Sequence, residues 1–318
     1  MRRTIKILIG LAAACLAALP LAANAETTLR IGVVSRTIFY LPAWTAEQQG
    51  FFKAEGIEPK IEIYNDTHKI FNDLKAGTIQ IGISSIETVI EDGYKGGSLR
   101  LVAGAAQRPP HFIIAQPEIK TLADLKGKTI GISVIGGGTY GPFAMLLKKN
   151  GVDPDKDIKL VETSFSISED ALRQGRVDAV NMNQPFAARA EAKGGTRKLF
   201  SLSEEMPNIV HILEACRADF VDKNPELVKA YVRDITLGMK KALADRAETL
   251  KVVSEQLKAP IPVLDTYLLK DNDFGRDPGA APNFEAIQKM LDIYAETGML
   301  PKLDVAQFKH PTIVAPLQ

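Results

Sequence analysis

Cysteine is scarce in this chain of 318 residues, which carries two, Cys15 and Cys216. Two thiols cannot build a disulfide framework or a four-thiolate zinc site. An excess of one charge is equally absent: 39 Lys and Arg stand against 38 Asp and Glu, a net of +1. No basic field is available to drive nucleic-acid binding. The four histidines, His68, His111, His211 and His310, never fall at metal-ligand spacing. The sequence holds no G-x-S-x-G elbow, no P-loop and no H-E-x-x-H. No nucleophile–base pair stands out. These absences lead us to expect a protein that is not an enzyme, has no cofactor and no metal, and has no nucleic-acid partner.

What is present is an ordinary globular composition, 46% hydrophobic and 24% charged. The length allows about two domains, each with its own core. The amino terminus stands apart. Arg2, Arg3 and Lys6 precede an uncharged, mostly apolar stretch from Ile7 to Ala23, and Ala23-Asn24-Ala25 follows as a small-x-small cleavage signal. Residues 1–25 therefore read as a secretory signal peptide. Pro20 breaks the stretch, which makes a membrane anchor the weaker reading. Cys15 follows Ala12-Ala13-Ala14, a poor lipobox, so a lipid anchor there is not expected. Removal of 1–25 leaves 36 basic against 38 acidic residues, a balance of −2, and Cys216 as the one cysteine. No later stretch approaches the ~20 apolar residues of a membrane span. The expected location is periplasmic.

Short apolar runs alternate with helical periodicity. Strands are expected at Leu29–Val34, Lys60–Tyr64, Ile79–Ile83 and Leu99–Ala103, with helices at Leu41–Phe52, Lys69–Ala76 and Ile86–Tyr94 between them. A second series places strands at Phe112–Ala115, Thr129–Val134, Ile158–Glu162, Ala179–Met182 and Ile209–Glu214. Its helices are Gly138–Asn150, Glu169–Gln174 and Pro185–Ala192. This βαβ alternation predicts α/β lobes with mostly parallel sheets and helices on their faces. From Asn224, a candidate cap before Pro225, the chain turns helical, at 225–243, 246–256, 261–270 and 283–296. Packing that tail on the first sheet requires two crossings between lobes, near 106–111 and 206–212. The expected division is 26–108 and 210–318 in lobe I and 109–209 in lobe II. The cleft between them would face the carboxyl ends of the strands, where open α/β sheets bind ligands.

The candidate ligand-binding residues lie at those ends. Gly136-Gly137-Gly138-Thr139-Tyr140-Gly141 joins a strand to a helix, and its amides and helix dipole suit an anion or other ligand, with a plain turn as the alternative. The segment also satisfies G-x-G-x-x-G, with Glu162 about 20 positions on, the dinucleotide fingerprint. Export argues against a diffusible nicotinamide cofactor. Ser35, Thr37, Phe39 and Tyr40 follow the first strand, and Asn65 and His68 the second, where Asp66 or Thr67 is a helix cap. Ser84 and Ser85 follow the third. Arg108 is either a bidentate partner for a carboxylate or sulfonate or a solvated hinge arginine. Ser164 and Phe165, then Asn183, Gln184 and Phe186, would line the other lobe. Phe39, Tyr40, Tyr140, Phe165 and Phe186 together would suit a planar ligand.

Several stretches carry a family resemblance: Ala46–Pro59, Leu74–Gly82, Leu122–Gly131, Leu146–Pro154 and Asp170–Ala179. With them the chain resembles the solute-binding proteins of ABC importers, in the group that binds sulfonates, taurine, nitrate and thiamine-pyrimidine precursors, a type 2 periplasmic binding protein fold. The resemblance implies two α/β lobes on a two-strand hinge, closing on a small molecule. It further implies a monomer that delivers its ligand to an ABC permease with a cytoplasmic ATPase. The family's glycine-rich helix start matches Gly136–Thr139, with Thr139 where serine is common. Gln184 stands where the family has an aromatic or acidic residue before the second lobe's Pro-Phe. The expected ligand is a small organic anion or a heteroaromatic solute: a sulfonate, an aromatic carboxylate or a pyrimidine-like ring. An enzyme or a sensor on the same fold is the alternative; the yeast-type pyrimidine synthase has a cysteine-rich motif that is absent here.

Overall fold

The computed structural model describes residues 26–313 other than 65, 110, 136, 137, 207, 208, 271 and 272. The signal peptide reading and the candidates Asn65 and Gly137 lie outside the described residues. The chain lays down β1 (Thr27–Val33), β2 (Ile57–Ile63), β3 (Ile81–Ser85) and β4 (Leu99–Ala106). It then crosses to β5 (His111–Ala115), β6 (Thr129–Ile132), β7 (Lys159–Glu162), β8 (Ala179–Asn183) and β9 (Arg197–Ser201) before returning as β10 (Ile212–Arg217). Two five-stranded sheets result, in the orders β2-β1-β3-β10-β4 and β7-β6-β8-β5-β9. In the first, β1 pairs in parallel with β2 and β3, while β10 runs antiparallel to β3 and β4. The second repeats this pattern, with β5 antiparallel between β8 and β9. Each sheet is thus mixed and mostly parallel, and its antiparallel strand is the one the chain enters directly after crossing between sheets.

That topology places the cleft. Parallel strands of each sheet end at the same side where the antiparallel strand begins. The starts of β5 and β10 therefore sit among the carboxyl ends of β1, β3, β6 and β8. The two crossovers run side by side there, and the His211 amide donates to the Ala106 carbonyl at 3.4 Å.

Helices cover the sheets as hydrophobic periodicity requires. Helix Pro225–Ala244 buries Tyr231, Ile235 and Met239 in the core of the first sheet, and Tyr231 stacks on Phe52 at 5.7 Å. It approaches helix Leu41–Gln48 so closely that a Cβ on Gly238 would overlap the Pro42 carbonyl oxygen. The expected side-chain cap at Asn224 is not made; its amide donates to the Phe220 carbonyl instead. Helix Phe284–Glu296 buries Ile287, Met290 and Tyr294 in a core that also takes Ile86 and Ile90 from the first lobe and Phe143 and Leu147 from the second. Among the described residues no helix is long and apolar enough to cross a membrane.

Two expected helices differ and one strand is added. Gly50, at φ +74°, splits the helix expected over 41–52 into Leu41–Gln48 and Phe51–Ala54. The helix expected over 261–270 stops after Ile261–Leu264. The strand β9 was not foreseen; its Arg197-Lys198 start is exposed, and burial begins only at Phe200.

Candidate functional site

Between the sheets lies a cavity of about 570 Å³ whose walls are strand ends, a volume typical of small-molecule sites. From the first lobe it receives Ser35, Phe39 and Tyr40 after β1, His68 at the rim after β2, and Ser84 and Ser85 at the end of β3. The second lobe supplies Gly138 and Thr139 after β6, Phe165 after β7 and Asn183 at the end of β8. The structure thus brings together ten of the residues expected from sequence.

Four others are placed elsewhere. Thr37 is buried beneath the loop, where its hydroxyl accepts from the Phe39 amide as the cap of a short 3-10 turn. Phe186 stands behind the wall, stacked on Phe165 at 6.1 Å, with the Arg189 guanidinium over its ring, 4.8 Å from the ring centre. Arg108 and Gln184 line a separate cavity of about 820 Å³, together with Phe112, Tyr267 and Phe274. The Gln184 amide oxygen there accepts from the Ala188 amide. The cation expected from Arg108 is therefore not delivered to the cleft.

The residues that sequence reasoning missed are His111 and His211. Each lies at the start of an antiparallel strand, His111 as the first residue of β5 and His211 immediately before β10. Their rings meet edge to face, 4.7 Å apart at 88°. Phe39 approaches both, at 6.3 and 6.0 Å, and Phe165 stacks on His111 at 6.4 Å. Both histidines are almost fully buried. Burial pushes His211 down to about 3. Burial, and then the neighbouring His211, hold His111 well below its ordinary 6.5. Both rings are neutral at physiological pH.

The cavity also gathers buried polar atoms that have no hydrogen-bond partner in the protein: Ser84 Oγ, Ser85 Oγ, Asn183 Oδ1 and the Nδ1 atoms of His111 and His211. Native interiors seldom leave such groups unmatched, so a cluster of them marks where a solute can supply the partners. Ser85 stands at the start of helix Ile86–Tyr94 but makes no cap bond. Asp66 does cap, accepting from the His68 and Lys69 amides at 2.8 and 3.2 Å. Thr139 turns its hydroxyl to Ser133 at 2.9 Å, and its carbonyl accepts from Asn181.

At the edge of the cavity the lobes touch. A Cβ on Gly138 would overlap Ser85, and one on Gly141 would lie 2.7 Å from the Tyr294 hydroxyl. The Tyr294 hydroxyl donates to Glu87 Oε1 at 3.3 Å, and Glu87 Oε2 is buried without a partner. Burial pushes the Glu87 carboxyl up to about 7 against several weaker opposing hydrogen bonds, that from Tyr294 among them. Among the described residues no cluster of His, Cys, Asp and Glu could hold a metal ion.

A two-lobed α/β protein with a solute-sized cavity at the facing strand ends has the periplasmic binding protein fold. The aliphatic sulphonate binding protein SsuA of Escherichia coli shares it, with a TM-score of 0.74 at 20% identity over 90% of this chain and 98% of that one. The chain belongs to the NMT1/THI5-like family, whose model matches residues 39–249. Among curated relatives, the Bacillus subtilis protein YtlA, whose name says only that it binds, is 24% identical over 287 residues, 87% of this chain and 85% of its own length. The riboflavin-binding protein RibY of Chloroflexus aurantiacus is 25% identical over 248 residues, 73% of this chain and 69% of its own.

Proposed function

We propose that the chain is the extracytoplasmic solute-binding component of an ABC importer. It captures a small organic solute with an aromatic or heteroaromatic ring between its lobes and delivers it to a membrane permease driven by a cytoplasmic ATPase. The observation that carries this reading is the convergence on one cavity of unpartnered buried polar atoms from both lobes and from both crossovers, among aromatic walls. The binding proteins among its relatives support it. In this reading Ser84, Ser85 and Asn183 bond the solute, and Phe39 and Phe165 hold its faces. The protein acts as a monomer in the periplasm, after loss of residues 1–25. An organic anion, the other expected ligand class, would lack the Arg108 partner.

Isothermal titration of the purified protein with sulfonates, aromatic carboxylates, pyrimidines and flavins tests the reading, with each solute re-analysed afterwards. Saturable one-to-one binding, the solute recovered unchanged, is expected. Conversion of a bound solute into product would overturn it in favour of an enzyme on the same fold.

A further inference from the structure

The next step rests on the reading of the cavity as a solute cleft and concerns what that cleft selects. Among its described lining residues Asp66 is the one Asp or Glu, and there is no lysine or arginine. The neighbouring cations are engaged elsewhere. Lys69 pairs with Asp73 at 2.8 Å, Arg36 donates to Gln256 at 3.0 Å, and Arg108 lies in the second cavity. The remaining positive potential is the partial charge of helix starts, those of Ile86–Tyr94, Phe165–Arg173 and Tyr140–Lys149, and at the last this chain's own carboxyl already stands nearby. Glu87 Oε2 lies 3.3 Å from where a Cβ on Gly138 would be. An anion entering this cleft would give up its water for helix-end dipoles alone, with no cationic side chain among the described lining residues to meet it.

The floor offers the opposite chemistry. A neutral imidazole carries one donor and one acceptor nitrogen. Among the described residues neither the His111 nor the His211 ring takes part in a hydrogen bond, and both Nδ1 atoms are buried and unpartnered. The rings stand at 88°, so their nitrogen edges do not share a plane. Asn183 Oδ1 adds an acceptor, the Ser84 hydroxyl can donate or accept, and the apolar rings of Phe39, edge-to-face with both histidines, and Phe165, stacked on His111, adjoin the pair. Neutral donors and acceptors set among apolar rings match the ring nitrogens and exocyclic polar groups of an uncharged heterocycle. They do not match a sulfonate or nitrate group.

We propose that His111 and His211 are the specificity residues of the cleft: a donor–acceptor pair that reads the edge of an uncharged, planar heteroaromatic solute and disfavours anions. Burial keeps both rings neutral, so the pair gains no charge with which to attract an anion near neutral pH.

The test is titration calorimetry of the purified protein against two panels. One holds uncharged rings, riboflavin and 4-amino-5-hydroxymethyl-2-methylpyrimidine; the other holds hexanesulfonate, benzoate and nitrate. We expect an uncharged ring to bind about 100-fold more tightly than any anion, since a site of buried polar groups rejects solutes that cannot pair with them. His111→Phe and His211→Phe should each weaken that ring roughly tenfold, the loss of one hydrogen bond. His111→Asn and His211→Asn, which return a polar atom near Nδ1, should recover part of it. Should a Phe variant fail to fold, the Asn variants decide by a change in preference between the two rings. Tighter binding of the anions overturns the proposal and leaves the solute cleft standing. So does unchanged ring affinity in Phe variants that melt with the parent. If neither panel binds and native mass spectrometry finds no solute carried through purification, the cleft reading itself falls.

Discussion

Tyr294 holds Glu87 across 207 residues of chain, its hydroxyl donating to Oε1 at 3.3 Å, and together the two abut the glycines that open helix Tyr140–Lys149 in the other lobe. The contact links the proton occupancy of one carboxyl to the fit of the two lobes. Glu87 is raised to about 7 where the lobes meet, chiefly by burial. Exposed, such a group titrates near its ordinary 4.5. The protonated form therefore favours the closed contact. Closure should be strongest below about pH 4.5, weaken as pH rises toward 7, and level off above it, by up to about tenfold per unit within that window. Affinity for an uncharged solute measured from pH 4.5 to 8 should show the decline, and Glu87→Gln should flatten it. The same slope in the variant would break the link.

Gly138→Ala tests the lobe contact itself. The added Cβ would overlap Ser85 from the opposite lobe. Overpacking of this kind costs about 1–3 kcal/mol, so solute affinity should fall roughly ten- to hundredfold. The melting temperature without solute should hardly move, because the clash exists only when the lobes meet. Small-angle scattering at saturating solute should show a larger radius of gyration than in the parent.

The histidine pair makes the folded protein acid-sensitive in a defined direction. Both imidazoles are held below 6.5 by burial, His211 to about 3, so the unfolded chain binds protons that the folded one refuses. Their contribution to stability is complete above about pH 6.5 and shrinks below it, by about 1.4 kcal/mol per unit for each ring. Glu87, Glu214 and Asp234, all pushed up to about 7 by burial, act in the opposite sense over part of that range. The comparison that isolates the ring is therefore between parent and His211→Gln. Urea unfolding at pH 7 and pH 5 should show the parent losing roughly 2 kcal/mol more than the variant.

Arg108→Ala should leave solute affinity within about twofold, since the side chain lines the cavity away from the cleft. A loss of tenfold or more in titration calorimetry would place the guanidinium at the solute after all.

The architecture was legible in the sequence because each βα unit writes its own period. Helix Ile86–Tyr94 has the bounds its apolar spacing gave, and the expected return to the first sheet is β10. The strand β9 escaped because an edge strand with Arg197 and Lys198 facing water lacks an apolar run. The cleft was legible as far as strand ends go: a residue just after a parallel strand is a candidate whatever its type, which found Ser84, Phe165 and Asn183. The same rule also named Arg108, whose side chain lines the other cavity, because it says nothing of which way a side chain leaves the crossover. It passed over His111 and His211 because they begin strands rather than end them. Their separation of 100 positions carries no motif; only the side-by-side crossovers make them neighbours.

The matching strand orders of the two sheets have a kinetic consequence. Since each antiparallel strand starts where a crossover ends, both imidazoles sit close to the axis about which the lobes would turn, while Gly138 and Glu87 lie at the margin that swings. In the proposed cycle a solute can land on the two rings while the jaws are apart, and the margin shuts over it afterwards. Substitutions at the axis should then alter how a solute is recognised on arrival, and substitutions at the margin how long it stays.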